Sequence, residues 1–400
     1  MVASLTPLED AITALLAKAS PIDRTQVCHL DEALGKYLAE DIRSSVDVPP
    51  AANSAMDGYA IKCSEITPDG VYEVSDRIPA GQIGNQLAVG TVARIFTGAP
   101  IPPGADAVVM QENTEAVAGH DDQVKIKIVP SVSANIRPRG QDISQGTTIL
   151  ERGRKLGPQD LGLIASVGVA EVEVFKPLKI AIMSTGDELV EPAESLQAGQ
   201  IYNSNRFVLA GLLKDLGMQV VDLGVIGDTQ EATEEALRHG ANGSDCIIST
   251  GGVSVGEEDY VRTVVEELGQ LEIWRIAIKP GKPLAFGEVL GTPIFGLPGN
   301  PVSAFVGFLI IAQPYLLACQ GGIETENEFY LGEADFDFMG GKRKEYLRVR
   351  AEVSRDRVLL KKFSEQGSGV MSSVSWANAL AEVDVGQQVK SGDNLRYLPL

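Results

Sequence analysis

The sequence predicts a multi-domain α/β-plus-β protein, built from a mostly parallel α/β sheet domain, an inserted β-rich lobe and a small C-terminal β domain. Three observations carry that prediction. The 400 residues exceed the roughly 250–300 at which a single core stops growing. From Pro177 onward, apolar strands alternate with amphipathic helices, the rhythm of a sheet covered on both faces. Two other stretches, 46–140 and 329–400, break into short alternating runs punctuated by glycine, proline and polar residues, which is β texture.

Taken in order, residues 4–40 alternate helical periodicity with polar breaks. The segment 46–140 then changes to short β-rich runs, "DGYAIK", "VYEVSD", "TVARIF", "DAVVMQ" and "QVKIKIV". A helical pattern returns in "LGPQDLGLIASVGVAEVEVF" (156–175). The simplest division makes 46–140 an insertion, with 1–45 and 141–176 forming one discontinuous domain around it. In 177–322, "LKIAIMS", "QVVDLGVIGD" and "DCIISTGG" are strands, each followed by a helix. "EIWRIAI" is a further strand, and the hairpin-like "PLAFGEVLGTPIFGL" leads to a long helix ending near Cys319. The break "QGGIETENE" closes that domain, and 323–400 forms the C-terminal β domain.

Charge and composition narrow the function. The net charge is −20, with no basic block to offset it, which argues against nucleic acid or an anionic membrane as partner. Cys28, Cys63, Cys246 and Cys319 form no C-x-x-C pair and fit a reducing compartment. With only His29, His120 and His239 besides, a bound metal should be hard and oxygen-ligated. Residues 1–20 carry Glu9 and Asp10 and no basic leader, so they read as a helix and not a signal peptide. The strongest apolar run, Phe305–Ala312, falls short of the ~18–20 residues of a membrane span. A cytoplasmic protein is expected.

In open parallel sheets, ligands bind beyond the carboxyl ends of the strands. The residues following the strands here are Thr185, Asp187 and Glu188; then Asp228; then Ser249, Thr250, Gly251, Gly252, Ser254 and Asp259; then Lys279 and Lys282; then "LPGNPVS". Singly, each has an ordinary explanation. Asp228-Thr229 suits a helix N-cap, Asp259 suits the positive end of a helix, and the lysines suit a solvated surface. Together they place donors, acids and cations at one edge. The small-residue turns let backbone amides approach an oxyanion, and the lysines add positive charge. Glu188, Asp228 and Asp259 would repel that anion unless a hard cation bridged them, so phosphate with Mg²⁺ fits. Neither G-x-G-x-x-G nor G-x-x-x-x-G-K-[ST] occurs, which argues against ordinary dinucleotide or P-loop chemistry.

The turn "GLPGNPVSAF" (296–305) carries a more local expectation. Asn300 as N-cap and Pro301 at the first helical position form a favoured helix start. Pro298 and Pro301 stiffen the loop, and Gly299 admits close approach. The amides after Pro301 and the Ser303 hydroxyl are expected to face an anion.

The strings "NSAMDGYA", "FTGAPIPPGADAVVMQEN", "STGDEL", "QIYNSNRF", "STGGVSVGEEDY", "AIKPGKP" and "LPGNPVS" resemble the molybdopterin molybdenumtransferase family, related to the E domain of gephyrin. The resemblance covers essentially the whole chain, in order. It implies an elongated homodimer of four-domain subunits, whose cleft combines the α/β domain of one subunit with the β lobe of the other. It implies hydrolysis of adenylylated molybdopterin and Mg²⁺-dependent insertion of molybdate, releasing AMP and molybdenum cofactor. Contact with other proteins of molybdenum cofactor biosynthesis is a further expectation. The resemblance places function on Asp57, Thr97, Asp142, Glu188, Asp228, Asp259, Lys279, Lys282 and the Pro298–Ser303 turn. Arg343 and Arg348 in "RKEYLRV" resemble the family's R-x-E-[FY]-x-R motif. Two departures are Gln141 where an acid is common, with Asp142 kept, and a loosely matching serine-rich stretch, in which Ser368 and Ser373 are candidate oxyanion ligands. Rival readings are a non-catalytic scaffold and the related adenylylating fold.

Overall fold

The computed structural model describes residues 5–252, 260–354 and 357–400. In the α/β domain a six-stranded sheet runs in the order Gln219–Ile226, Lys179–Thr185, Cys246–Thr250, Thr292–Leu297, Pro283–Val289, Gly269–Arg275. The first four are parallel to their neighbours. The last two are each antiparallel to the strand before, so Gly269–Arg275 points the same way as the parallel four. Five strands therefore end at one edge.

The sequence of Lys179–Thr185 shows why this sheet is covered on both sides. Ile180 and Ile182 face one core with Leu209 and Leu213 of helix Asn205–Asp215 and Val302 and Val306 of the helix beginning at Pro301. Ala181 and Met183, one residue out of phase, face a second core. It holds Leu237 of helix Gln230–Gly243 and Val261, Val264 and Val265 of helix Tyr260–Leu268. Alternation at period two divides the strand between two helical layers. Thr229, not Asp228, caps Gln230–Gly243: its hydroxyl accepts from the Ala232 amide at 3.2 Å.

The helix from Pro301 continues to Cys319, 19 residues of mean hydropathy 1.9. It is thus longer than the apolar run suggests and meets the length and hydropathy of a membrane span, but 78% of its most apolar window is buried inside the protein. It is a core helix, widened by one i→i+5 turn at Phe308–Ala312.

The helical reading of the N-terminal segments holds for Leu8–Leu16 and Pro158–Ser166 and fails beside them. Thr25–His29 and Glu171–Phe175 are strands, paired antiparallel with each other. Ile42–Arg43 likewise pairs with Thr148–Leu150. Their hydrogen-bond partners lie more than a hundred residues away, and long-range pairing overrides local propensity.

The five β runs read in 46–140 are strands Gly58–Ile61, Gly70–Ile78, Val92–Ile95, Ala107–Met110 and His120–Ile126, joined in one sheet by Thr114–Val117. At the C-terminal end, Lys344–Ser354 pairs with both Arg357–Lys362 and Ala379–Val383. Asn394–Pro399 joins Ala379–Val383 to Tyr330–Ala334, which closes on Arg357–Lys362. Five strands make a closed ring around Leu347, Val349, Leu360, Ala381 and Leu395. The short strand Ile278–Lys279 of the preceding domain adds to it, parallel to Lys344–Glu345.

Candidate functional site

Two adjoining cavities open at the carboxyl edge of the α/β sheet. The first, of about 500 Å³, is lined by Thr185, Glu188, Asn205, Asp228, Thr250, Tyr260 and neighbouring residues. The second, of about 440 Å³, is lined by Lys279, Gly281, Lys282, Pro298, Ser303, Arg343, Gln366, Gly367 and Ser368. Gly251, Gly252, Gly299 and Asn300 line both, so backbone of two facing turns forms the partition.

That partition requires glycine. Gly251 and Gly252 have φ of +88° and +66°, where a side chain is strained. A Cβ on Gly251 would stand 2.7 Å from the Thr185 carbonyl oxygen, and one on Gly252 2.4 Å from Val261 Cγ2. Gly299 faces them, and its Cβ would lie 3.9 Å from the Gly251 Cα. Asn205 holds that turn in place, donating from Nδ2 to the Gly299 carbonyl at 2.8 Å, while its buried Oδ1 has no partner among the described residues.

Polarity differs across the partition. In the first cavity, Asp228 is fixed by a reciprocal exchange. The Asp187 amide donates to Asp228 Oδ2 at 3.1 Å, and the Asp228 amide to Asp187 Oδ1 at 3.2 Å. Glu188, beside Gly186, has no hydrogen-bond or ion-pair partner for its carboxylate among the described residues. These carboxylates and the Thr185 and Thr250 hydroxyls are hard oxygen donors. Among the described residues no cluster of three or more His, Cys, Asp or Glu side chains forms a protein-only metal cage. Hard oxygen donors are the kind Mg²⁺ takes, alongside ligand phosphate oxygens and water.

The second cavity is cationic. Lys279 pairs with Glu345 at 3.0 Å, and Glu345 also accepts from the Gly341 amide. Arg343 donates to the Ile278 carbonyl at 2.9 Å. Lys282 is exposed and has no ion-pair partner among the described residues. Ser303 is buried against Gly281. The Val302 amide, expected to face an anion, instead donates to the Ser368 carbonyl at 3.0 Å. That bond ties the turn to the C-terminal domain.

The candidates divide accordingly. Thr185, Glu188, Asp228, Gly251, Gly252, Lys279, Lys282, Pro298, Gly299, Asn300, Ser303, Arg343 and Ser368 converge on the cavities. Ser249 and Ser373 are fully buried and Arg348 is 1% exposed; these three sit behind the walls and not in them, and the half-buried Pro301 lines neither cavity. The Ser249 hydroxyl donates to the Gly251 carbonyl at 3.4 Å, and Arg348 Nε donates to the Ser373 hydroxyl at 3.1 Å. Asp57 and Thr97 adjoin one another in the β-rich lobe: the Thr97 amide donates to Asp57 Oδ1 at 2.8 Å. This bond, with one from the Thr97 hydroxyl, holds the Asp57 carboxyl below the usual carboxylate range. Asp142 is exposed, its amide bonded to the Val48 carbonyl. None of these three lines either cavity. Ser254 and Asp259 lie outside the described residues. Asn205, Gln366 and Gly367 were assigned no role from the sequence. Asn205 stands in the motif "QIYNSNRF", the one signal that could have marked it.

Three family descriptions match successive parts of the chain: "MoeA N-terminal region (domain I and II)" at 6–168, "Probable molybdopterin binding domain" at 181–318 and "MoeA C-terminal region (domain IV)" at 332–400. The molybdopterin molybdenumtransferase of Haemophilus influenzae is 42% identical over 315 residues, 78% of each chain. That of a Nostoc species is 32% identical over 99% of this chain and 94% of its own. The crystal structure of the molybdopterin biosynthesis MoeA protein of Pyrococcus horikoshii superimposes with a TM-score of 0.87 at 27% identity, covering 99% of this chain and 100% of that one. With its glycine partition between an acidic and a cationic cavity, and with relatives aligned from end to end, the chain belongs to the molybdopterin molybdenumtransferase (MoeA) family.

Proposed function

We propose that this protein acts in molybdenum cofactor biosynthesis as a transferase that inserts molybdate into adenylylated molybdopterin and releases AMP. One observation carries the reading: an acidic cavity and a cationic cavity meet at a wall of bare backbone. A substrate joining a phosphoanhydride to a dithiolene needs such a pair, one compartment for the phosphates and one for the oxyanion. Glu188 and Asp228 would hold Mg²⁺; Asp259, the third acid expected from the sequence, lies outside the described residues. When bound, Mg²⁺ would neutralise phosphate charge against those carboxylates. Lys279, Lys282 and Arg343 would take the oxyanion, and the Gly251–Gly252 and Gly299 turns would let both ligands approach the partition. Asp57 and Thr97 of the β-rich lobe, with Asp142 just past it in the chain, would complete the first cavity from a second copy, making a homodimer with a composite site. Free cysteines support placing this chemistry in the reducing cytoplasm.

The test is AMP release from adenylylated molybdopterin in wild type, Glu188→Gln and Lys282→Gln, with and without molybdate. Glu188→Gln is expected to suppress AMP release throughout, and Lys282→Gln to remove its stimulation by molybdate. Wild-type turnover with unaltered molybdate dependence in both variants would overturn the reading.

A further inference from the structure

Arg94 lies on an inner strand of the β-rich lobe's sheet, Val92–Ile95, opposite Tyr59 of Gly58–Ile61. Its guanidinium stands over two rings, 5.1 Å from the Tyr59 centroid and 4.8 Å from that of Phe96. It donates to the Gly58 carbonyl at 3.1 Å and to Gln111 Oε1 at 2.8 Å. Among the described residues its partners are neutral acceptors and ring faces, and none is a carboxylate. A guanidinium binds through a rigid planar fork, so this one side chain sets the direction of a carbonyl and the tilt of two rings together.

Each of those contacts adjoins the Asp57–Thr97 pair. Gly58 follows Asp57 in the chain, and Phe96 precedes Thr97. The Gln111 amide donates to the Asp57 carbonyl at 3.0 Å, so Arg94 and Gln111 close a ring of hydrogen bonds around Asp57 and Gly58. Gly58 has no room for a side chain: a Cβ there would stand 1.8 Å from the Val109 carbonyl oxygen. Holding the sheet together does not call for the guanidinium, because the Val92–Ile95 strand is already paired on both sides. What the side chain adds is a link between the two strand ends that carry Asp57 and Thr97. The Thr97 amide and hydroxyl hold the Asp57 carboxyl below the usual carboxylate range, and the charge of Arg94 adds to their effect.

We infer that Arg94 is a positioning residue. It fixes the Asp57–Gly58 segment against Phe96–Thr97, so that carboxylate and amide keep one relative geometry when the lobe meets the first cavity of a second copy. The inference rests on reading Asp57 and Thr97 as the lobe's contribution to a composite site. Arg94 acts through that pair and not by touching the ligand.

Amide hydrogen exchange and AMP release from adenylylated molybdopterin test it on the full-length chain, using wild type, Arg94→Met, Arg94→Lys and Phe96→Leu, with Asp57→Asn as the marker of the site. In Arg94→Met the Thr97 amide should exchange about tenfold faster or more, the size of one lost charge-assisted hydrogen bond. AMP release should fall by a similar factor, while strands Ala107–Met110 and His120–Ile126 keep wild-type protection. Arg94→Lys keeps the charge and one donor but not the plane, and should recover part of both losses. Wild-type AMP release in folded Arg94→Met, with Asp57→Asn inactive, overturns the inference alone. Faster exchange spread evenly over the lobe's sheet does the same, being the mark of a merely structural role. Wild-type AMP release in Asp57→Asn overturns the composite reading beneath it. Should Arg94→Met not fold, Arg94→Lys and Phe96→Leu decide: reduced release with faster exchange confined to Thr97 in either supports the inference, and wild-type behaviour in both overturns it.

Discussion

Lys279 and Lys282 are three residues apart in one turn, yet they should behave differently when replaced. Lys279 answers the buried carboxylate of Glu345, which is 4% exposed in its side chain. Lys279→Gln leaves that carboxylate with the Gly341 amide and without its ion-pair partner, Arg348 remaining as the positive charge near it, so about 1–3 kcal/mol of stability should be lost, the cost of an under-satisfied buried acceptor. Lys282 neutralises nothing among the described residues, and Lys282→Gln should shift molybdate affinity while the thermal midpoint stays put. Thermal melting of both variants separates them; equal losses would show that the pairing with Glu345 contributes nothing. Gly251 sets a second test at this scale. A Cβ there combines positive φ with a 2.7 Å approach to the Thr185 carbonyl oxygen. Gly251→Ala should therefore cost about 1–3 kcal/mol, read from urea denaturation.

Between elements, the side chain of Asn205 links helix Asn205–Asp215 to the Pro298–Asn300 turn. Asn205→Leu removes the donor to Gly299 and leaves a carbonyl to find another. It should lower stability by about 1–3 kcal/mol and weaken ligands of both cavities, since Gly299 lines each. An effect confined to one cavity would contradict a shared wall. The prominence of that wall in the sequence has a physical cause. Strand ends of a parallel sheet converge by topology, so motifs after "LKIAIMS", "DCIIST" and "TPIFGL" meet wherever their strands pair. Thr25–His29 offered no comparable signal: five residues with one buried side chain fit a helix fragment as well as a strand until Glu171–Phe175 arrives. Closure of the C-terminal ring was equally hidden, because Lys344–Ser354 shows alternation but not the two partners it takes. Arg348 was visible as a motif residue. That its side chain points into protein and not into the cavity depends on which face of that strand the ring encloses.

At the scale of the whole molecule, the acidic and cationic cavities lie within one chain while Asp57 and Thr97 lie outside both. If a second copy brings them in, Asp57→Asn and Glu188→Gln damage different halves of each composite site. Co-incubating the two inactive proteins should restore part of the AMP release that neither has alone. Confirmed subunit exchange without recovery would place the chemistry within single chains. A second long-range tie predicts a pH effect. Glu9 of helix Leu8–Leu16 accepts from Lys344 at 2.6 Å, and this bond holds its carboxyl below the usual range. A depressed carboxylate contributes its stability above the unfolded value, near 4.3, and loses it as pH falls through the folded one. Lys344→Met should flatten that acid limb in a pH series of urea midpoints, and an unchanged limb would assign it to other groups. The parallel pairing of Ile278–Lys279 with Lys344–Glu345 has a mechanical consequence. It is a rivet beside the cationic cavity, whose opposite jaws, Lys282 and Ser368, belong to separate domains. Any rocking of the C-terminal ring must pivot near that rivet, so it alters the gap between the jaws by little. An anion bound there as proposed would meet a gap of nearly fixed width, which sorts by radius, and not a vise that tightens around whatever enters.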